Sequence, residues 1–408
     1  MILSTVQLIA GIVLLLFGGD RLVVGATRLA IILGISPLVV GLTIVALGTS
    51  APELAVMIQS VFRGTADVGV GNVVGSCIFN FLVILGIAAF LQPLTVATRL
   101  VRYEVPVLIV ICAGIWRFST DGRIGNFEGL ILLVILVMYL VWLVKRSTEE
   151  SDKFPPVAIE SLAQPVRRSW KDSLVAVGIC LLGLGLLAIG SEWTVAGAVH
   201  VARAVGVSEL FIGLTIIAGG TSLPELATTI AAAFRRNADI AVGNVVGSNL
   251  LNILAILGPA AAFAPAGLAV HPQLLRFDLP IVLELSVLSL PILWSGARID
   301  RVEASLFLAL YASYIAVLAA GATQSPGYDR WMDVYVLAVL PAAILLSILW
   351  GLIPLVFRPT SGNPSKLNLA IPANSTPGDW EEMPSSSESE SFDLSIGKGA
   401  TSEPYRSG

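Results

Sequence analysis

Two glutamates, Glu53 and Glu225, each stand alone in an apolar helical run, and each closes the same short string. The strings are Gly48-Thr49-Ser50-Ala51-Pro52-Glu53 and Gly220-Thr221-Ser222-Leu223-Pro224-Glu225. Proline lacks an amide hydrogen and clashes with the carbonyl four residues back. Pro52 is therefore expected to free the Gly48 carbonyl and kink its helix near Ala46–Thr49, and Pro224 to do the same near Ala218–Thr221. Carbonyls freed in an apolar medium need a partner. With the Thr and Ser hydroxyls and a carboxylate they form a set of hard oxygen donors, the ligand chemistry of Na⁺ and Ca²⁺ rather than of softer transition metals. The following helix adds Asn72, Ser76 and Asn80, and its counterpart Asn244, Ser248 and Asn252. Each trio is spaced by four, so it shares one helical face. Gly71, Gly75, Gly243 and Gly247 are expected to let these helices approach a neighbour closely.

Any one of these residues has a plainer reading. A single Ser or Thr in an apolar helix usually bonds back to its own backbone, a lone Pro or Gly often marks only a kink, and one buried Glu can be a structural hydrogen-bonder. Duplication outweighs these readings. Residues 41–86 and 213–258 align without a gap at an offset of 172, with 29 of 46 positions identical. Intramembrane carboxylates are expensive and mark function by default.

The elements that carry these strings are membrane spans. The chain has 408 residues, 56% hydrophobic and 13% charged, against roughly a quarter charged in soluble domains. Its mean hydropathy is +0.87. Apolar runs of about 20 residues predict helical spans at about 5–32, 37–61, 68–90, 104–117, 127–144, 174–189 and its continuation, 209–234, 240–263, 277–294, 302–320 and 334–357. Asp20 and Glu192 correspond at the same offset, and Arg102–Val107 echoes Arg276–Ile281. The chain thus divides into a first repeat at 1–145, a hydrophilic connector at 146–172, a second repeat at 173–321, an extra span within 322–358 and a Ser- and Glu-rich tail at 359–408 that reads as disordered.

Five spans separate equivalent points of the two halves. Five is odd, so the halves are inverted, an architecture of many transporters with a site between the repeats. The expected fold is an all-α membrane protein of two inverted-topology five-helix repeats plus an eleventh helix. With the connector inside, fourteen Lys and Arg lie in inside loops and six in outside loops. That places the N-terminus outside and the connector and tail in the cytoplasm. No basic cluster suggests nucleic acid. Cys77, Cys112 and Cys180 form no CxxC pair, which argues against a disulfide framework or a zinc site. Glu284 has no counterpart in the first half and is expected to hydrogen-bond locally. Glu104, Asp278, Glu128 and Glu303 are expected to cap helices or pair with arginines, and Asp67 and Asp239 to open helices.

At the two motifs the sequence resembles the calcium/cation antiporter superfamily, in its sodium/calcium exchanger branch, whose repeats carry GTS-x-PE followed by GN-x-x-GS-x-x-x-N/D. The resemblance covers about 320 of the 408 residues. It implies a secondary antiporter, not an enzyme, that exchanges Na⁺ for Ca²⁺ by alternating access, with no cofactor and no protein partner. The pair of spans one and six would move against a fixed core. By motif position, Glu53 and Glu225 would be shared Ca²⁺ and Na⁺ ligands, and Thr49 and Thr221 would give backbone and hydroxyl oxygens. Ser50, Ser222, Ser76, Ser248, Asn80 and Asn252 would surround the Na⁺ sites, with Ala46 and Ala218 as carbonyl donors. The connector is too short for the Ca²⁺-sensing domains of animal exchangers, so the chain is of the compact, prokaryote-like kind, expected in a plasma or bacterial inner membrane. Asn252 stands where potassium-dependent relatives carry Asp, which argues against K⁺ transport. Gly219 stands where a bulky residue is usual, as Leu47 does in the first repeat. The main rival is Ca²⁺/H⁺ exchange, since buried glutamates also carry protons. The proton-exchanger pattern puts an acid in the GN-x-x helix, and Val74–Gly75 and Val246–Gly247 offer none. An intramembrane aspartyl protease would need an Asp pair and a GxGD motif, and neither is present.

Overall fold

The long apolar runs are realised as helix almost throughout. The computed structural model describes residues 2–151, 169–207, 212, 216, 218–294, 298–323 and 325–356. Helix α1 (Ile2–Leu33) is unbroken through Asp20 and Arg21. Helices α2 (Pro37–Thr49) and α3 (Ala51–Phe62) meet at a 45° bend. Then come α4 (Ala66–Leu91), β1 (Leu94–Thr95), α5 (Val105–Phe118), β2 (Arg123–Ile124) and α6 (Asn126–Ser151). The second half carries α7 (Trp170–Ala204), α8 (Leu223–Phe234), α9 (Ala238–Phe263), β3 (Leu268–Ala269), α10 (Leu279–Trp294), β4 (Arg298–Ile299) and α11 (Arg301–Ala322). The last described helix, α12 (328–356), is the expected extra one.

Seven of the described helices are long and apolar enough to cross a membrane, or eight if α2–α3 is one bent span. The chain is thus an all-α, multi-pass membrane protein. Helices α5, α8 and α10 occupy predicted spans four, seven and nine. Most of the start of span seven, residues 152–168 of the connector and the whole tail lie outside the described residues.

Helices α4 and α9 form the centre. The most apolar stretch of α9 is 94% buried and that of α4 78%, against 28% for α7 and 39% for α1. The outer pair, α1 and α7, packs along glycines spaced by seven: Gly11, Gly18 and Gly25 on one helix, Gly183, Gly190 and Gly197 on the other. A Cβ at Gly11 would stand 2.5 Å from Thr194 N, one at Gly18 2.9 Å from Leu187 N, and one at Gly25 2.9 Å from Cys180 N. Backbones come this close only where side chains are absent. As the α1 number rises the α7 number falls, so these equivalent helices of the two halves run antiparallel.

The short strands show the same inversion. β1 pairs with β4, and β2 with β3, both antiparallel. Helix α5 leads from the first of these sheets to the second, whereas α10 leads from the second to the first. Equivalent helices therefore run in opposite directions between the same two sheets, as inverted halves require. Of the glycines expected to allow close approach, Gly243 and Gly247 do so against α2. A Cβ at Gly247 would lie 2.6 Å from Leu42 Cα. The matching neighbour of Gly71 and Gly75 falls largely outside the described residues.

The α1–α7 contact yields a direct test. Gly18→Val or Gly183→Val should lower stability by about 1–3 kcal/mol through overpacking, read as a lower melting temperature in detergent. Gly178→Ala on α7, where a Cβ meets nothing within 4 Å, should leave it unchanged. Equal melting of all three variants would rule out a backbone-contact interface.

Candidate functional site

Both motif helices break at the serine. α2 stops at Thr49, Ser50 has ψ 9°, and α3 restarts at Ala51. In the second half the turn Ala218–Gly220 ends, Ser222 has ψ 8°, and α8 starts at Leu223. The first break thus lies just beyond the expected Ala46–Thr49. The physical reason is that a proline costs nothing in the first turn of a helix, where its N–H would have no partner anyway. Glu53 and Glu225 become first-turn residues of α3 and α8, where the helix dipole favours a negative charge.

The two halves then bond across each other. Ser50 Oγ donates to Glu225 Oε1 at 3.1 Å, and its counterpart Ser222 Oγ donates to Glu53 Oε1 at 2.9 Å. Thr49 Oγ1 donates to Asn244 Oδ1 at 3.3 Å, and Thr221 Oγ1 to Asn72 Oδ1 at 3.3 Å. Ser76 Oγ adds a bond to Glu53 Oε1 at 3.1 Å and accepts from Ser222 at 3.1 Å. Glu53, Glu225, Thr49, Ser50, Ser222, Ser76, Ser248, Asn80 and Asn252 are all buried. Glu53, Glu225, Ser50, Ser222, Ser76, Thr49 and Thr221 are thus joined across the two halves by hydrogen bonds, directly or through Asn72 and Asn244. Ala46 O accepts from Thr49 Oγ1 at 3.3 Å, whereas Asn80 bonds Asn249 and Asn252 meets Cys77 instead. Ala218 begins the helical turn before the second break.

What the donors leave unsatisfied matters most. Glu53 Oε2, Glu225 Oε2, Ser248 Oγ, Asn80 Oδ1 and Asn252 Oδ1 are buried and have no hydrogen-bond partner among the described residues. Neither glutamate has a basic partner there. Hard, unengaged oxygens around two buried carboxylates fit Na⁺ or Ca²⁺ as a bound substrate. No group of three or more His, Cys, Asp or Glu forms among the described residues, so most of the donors are neutral.

Several expectations are modified. Pro224 does loosen the Gly220 carbonyl, but that oxygen accepts from Ser191 Oγ at 2.8 Å. The first half has Gly19 at the matching place and no hydroxyl to offer Gly48. Gly219 lies under Phe79, whose ring would be 3.1 Å from a Cβ there, so a side chain at this position would require the ring to shift. Glu284 does not settle into local hydrogen bonds through both oxygens: Oε2 has no partner among the described residues. It lines a cavity of about 620 Å³ with Thr120, Arg276 and Asp333. Glu104 pairs with Arg99 at 3.8 Å, as expected of a span-end acid, and also accepts from Tyr139 Oη at 3.0 Å. Asp278 accepts from Tyr314 Oη at 2.7 Å rather than from an arginine. Not foreseen from the sequence were Ser191, Asn249, the glycine heptads and Thr229, whose Oγ1 accepts from Asn244 Nδ2 at 3.0 Å. The seven-residue spacing was visible, whereas the roles of the polar three needed the tertiary contacts.

The two sides of the site differ. On one, Arg235 Nε donates to Asp20 at 2.7 Å and Asn237 Nδ2 to Thr27 Oγ1 at 3.3 Å, while Gly19 presses on α8, a Cβ there being 2.7 Å from Ala227 O. On the other, the counterparts Glu192 and Arg63 are exposed and form no ion pair among the described residues. A cavity of about 890 Å³ opens there, lined by Glu192, Leu187, Thr49, Pro52, Thr221 and Pro224.

Comparison with known proteins matches this architecture. The family model for sodium/calcium exchanger proteins matches residues 3–145 and 175–320. The sodium/calcium exchanger MaX1 of Methanosarcina acetivorans is 30% identical over 76% of this chain and 97% of its own length. The inner membrane protein YrbG of Escherichia coli is 35% identical over 72% of this chain and 90% of its own. Among solved structures, the sodium-calcium exchanger NCX_Mj superimposes with a TM-score of 0.65 at 29% identity, covering 78% of this chain and 98% of that one. With the family model matched over most of the chain and the fold in agreement, the chain belongs to the sodium/calcium exchanger protein family.

Proposed function

We propose that this transporter exchanges Na⁺ for Ca²⁺ across a plasma or bacterial inner membrane by alternating access, with both ions competing for Glu53 and Glu225. The observation that carries this is the pair of fully buried carboxylates with no basic partner among the described residues, each retaining one oxygen without a hydrogen-bond partner there. An isolated buried carboxylate is strongly disfavoured, so the pair requires a positive charge from elsewhere. One Ca²⁺ supplies it, as do Na⁺ ions. Protons would satisfy the carboxylates alone. The unengaged oxygens of Ser248, Asn80 and Asn252 suit a cation that takes several oxygen ligands, and the lack of an acid at Val74–Gly75 and Val246–Gly247 supports Na⁺ over H⁺ as the exchanged partner.

In this reading Thr49, Thr221, Ser50, Ser222 and Ser76 complete the ligand set, with the Ala46 and Ala218 carbonyls. The excess of basic residues in alternate loops supports an N-terminus outside. On that orientation the cavity beside Glu192 would face out and the Asp20–Arg235 pair would lie toward the cytoplasm. An inward Na⁺ gradient would then drive Ca²⁺ out of the cell.

The coupling ion is read by ⁴⁵Ca²⁺ uptake into proteoliposomes under an imposed Na⁺ or pH gradient. Uptake should follow the Na⁺ gradient, and uptake that follows only pH would sink Na⁺ coupling. Glu53→Gln and Glu225→Gln should each abolish exchange in the same assay, and normal transport by either variant would refute the site.

The serines should not be equivalent. Ser222→Ala removes a donor to Glu53 and a contact to Ser76, whereas Ser50→Ala removes a bond to Glu225 alone. A hydrogen bond to a charged group is worth about 1.5–3 kcal/mol, so Ser222→Ala should raise half-saturating Ca²⁺ by roughly tenfold or more. Ser50→Ala should have the smaller effect, and the reverse order would contradict the geometry.

A further inference from the structure

Asn249 lies outside the ligand set yet is fully buried beside it. Its Nδ2 donates to the backbone carbonyl of Cys77 at 3.4 Å, and its Oδ1 accepts from Asn80 Nδ2 at 2.9 Å. A side-chain amide can be turned end for end, and its direction is set only by its partners. A backbone carbonyl can only accept. The Cys77 carbonyl therefore requires the Nδ2 end of Asn249, which leaves Oδ1 facing Asn80. Asn80 must answer with its own Nδ2, so its Oδ1 is left without a partner.

Asn80 sits one helical turn beyond Ser76, which bonds Glu53. With its amide free to turn, Asn80 could swing its NH₂ toward the carboxylates whenever no cation screens them, presenting hydrogens where a cation needs lone pairs. We propose that Asn249 is a positioning residue that holds the Asn80 carbonyl oxygen as an ion ligand by fixing the polarity of this two-amide chain. The inference rests on the reading of Asn80 as a ligand of the transported cation.

The two halves differ at this place. Cys77 stands at the position equivalent to Asn249 and meets Asn252 Nδ2 through its sulfur at 4.0 Å. A thiol both donates and accepts, weakly, so Asn252 lacks the directional hold that Asn80 has. The fold accepts cysteine at the symmetry-related place, which makes Asn249→Cys a conservative probe.

The test is a double-mutant cycle on half-saturating Ca²⁺ in proteoliposomes, using Asn80→Ala, Asn249→Cys, Asn249→Leu and the pair Asn80→Ala/Asn249→Cys. Melting in detergent identifies folded variants. Asn80→Ala should raise half-saturation by about tenfold and Asn249→Cys by roughly threefold or more, while the double variant should match Asn80→Ala alone, since coupled residues are non-additive. A purely structural Asn249 would give multiplying effects, and that result, or an unchanged Asn249→Cys and Asn249→Leu, overturns the positioning role. An unchanged Asn80→Ala would instead remove the ligand reading beneath it, so the two failures are told apart.

Discussion

Two carboxyl groups, Glu53 and Glu225, are held in a buried interior with no basic side chain beside them among the described residues, and much of the local structure bears on that arrangement. The serine breaks turn Glu53 and Glu225 into first-turn residues, where unpaired backbone N–H groups and the helix dipole favour a carboxylate. A serine of the opposite half donates to each. These neutral donors reduce the cost of the charges without cancelling them. A basic partner would have cancelled them and left nothing for a cation to do.

Inverted duplication explains why the donors come from the opposite half. Antiparallel packing of equivalent elements brings residue n of one repeat to the partner of residue n of the other, so Ser50 and Ser222, and Thr49 and Thr221, make matched bonds. The symmetry is incomplete where it matters for exchange. Gly19 packs against α8 whereas Ser191 bonds Gly220, Asp20 is paired whereas Glu192 lines a cavity, and Asn249 faces Cys77. A chain built of two similar halves can present one closed and one open side only if such equivalent contacts are made on one side and released on the other. The glycine-spaced α1–α7 pair is less buried than α4 and α9.

The class, the two repeats, their inversion and the paired glutamates were all legible in the order of residues. Each rests on a pattern that survives in one dimension: apolar length, an offset of 172, an odd number of spans, and a charge where hydrocarbon forbids one. Proline chemistry foresaw a break in each motif helix but placed the first slightly early, because where a helix restarts depends on which residue can serve as the new first turn. Tertiary structure alone decided that Ser191 takes the Gly220 carbonyl, that Phe79 crowds Gly219, that Glu284 keeps an oxygen unengaged, and that Asn249 directs Asn80. Those facts join residues 29 to 169 positions apart, or concern an atom left over after others have paired. Sequence spacing records which groups share a helical face, and only packing decides which of them meet, and in which direction each amide points.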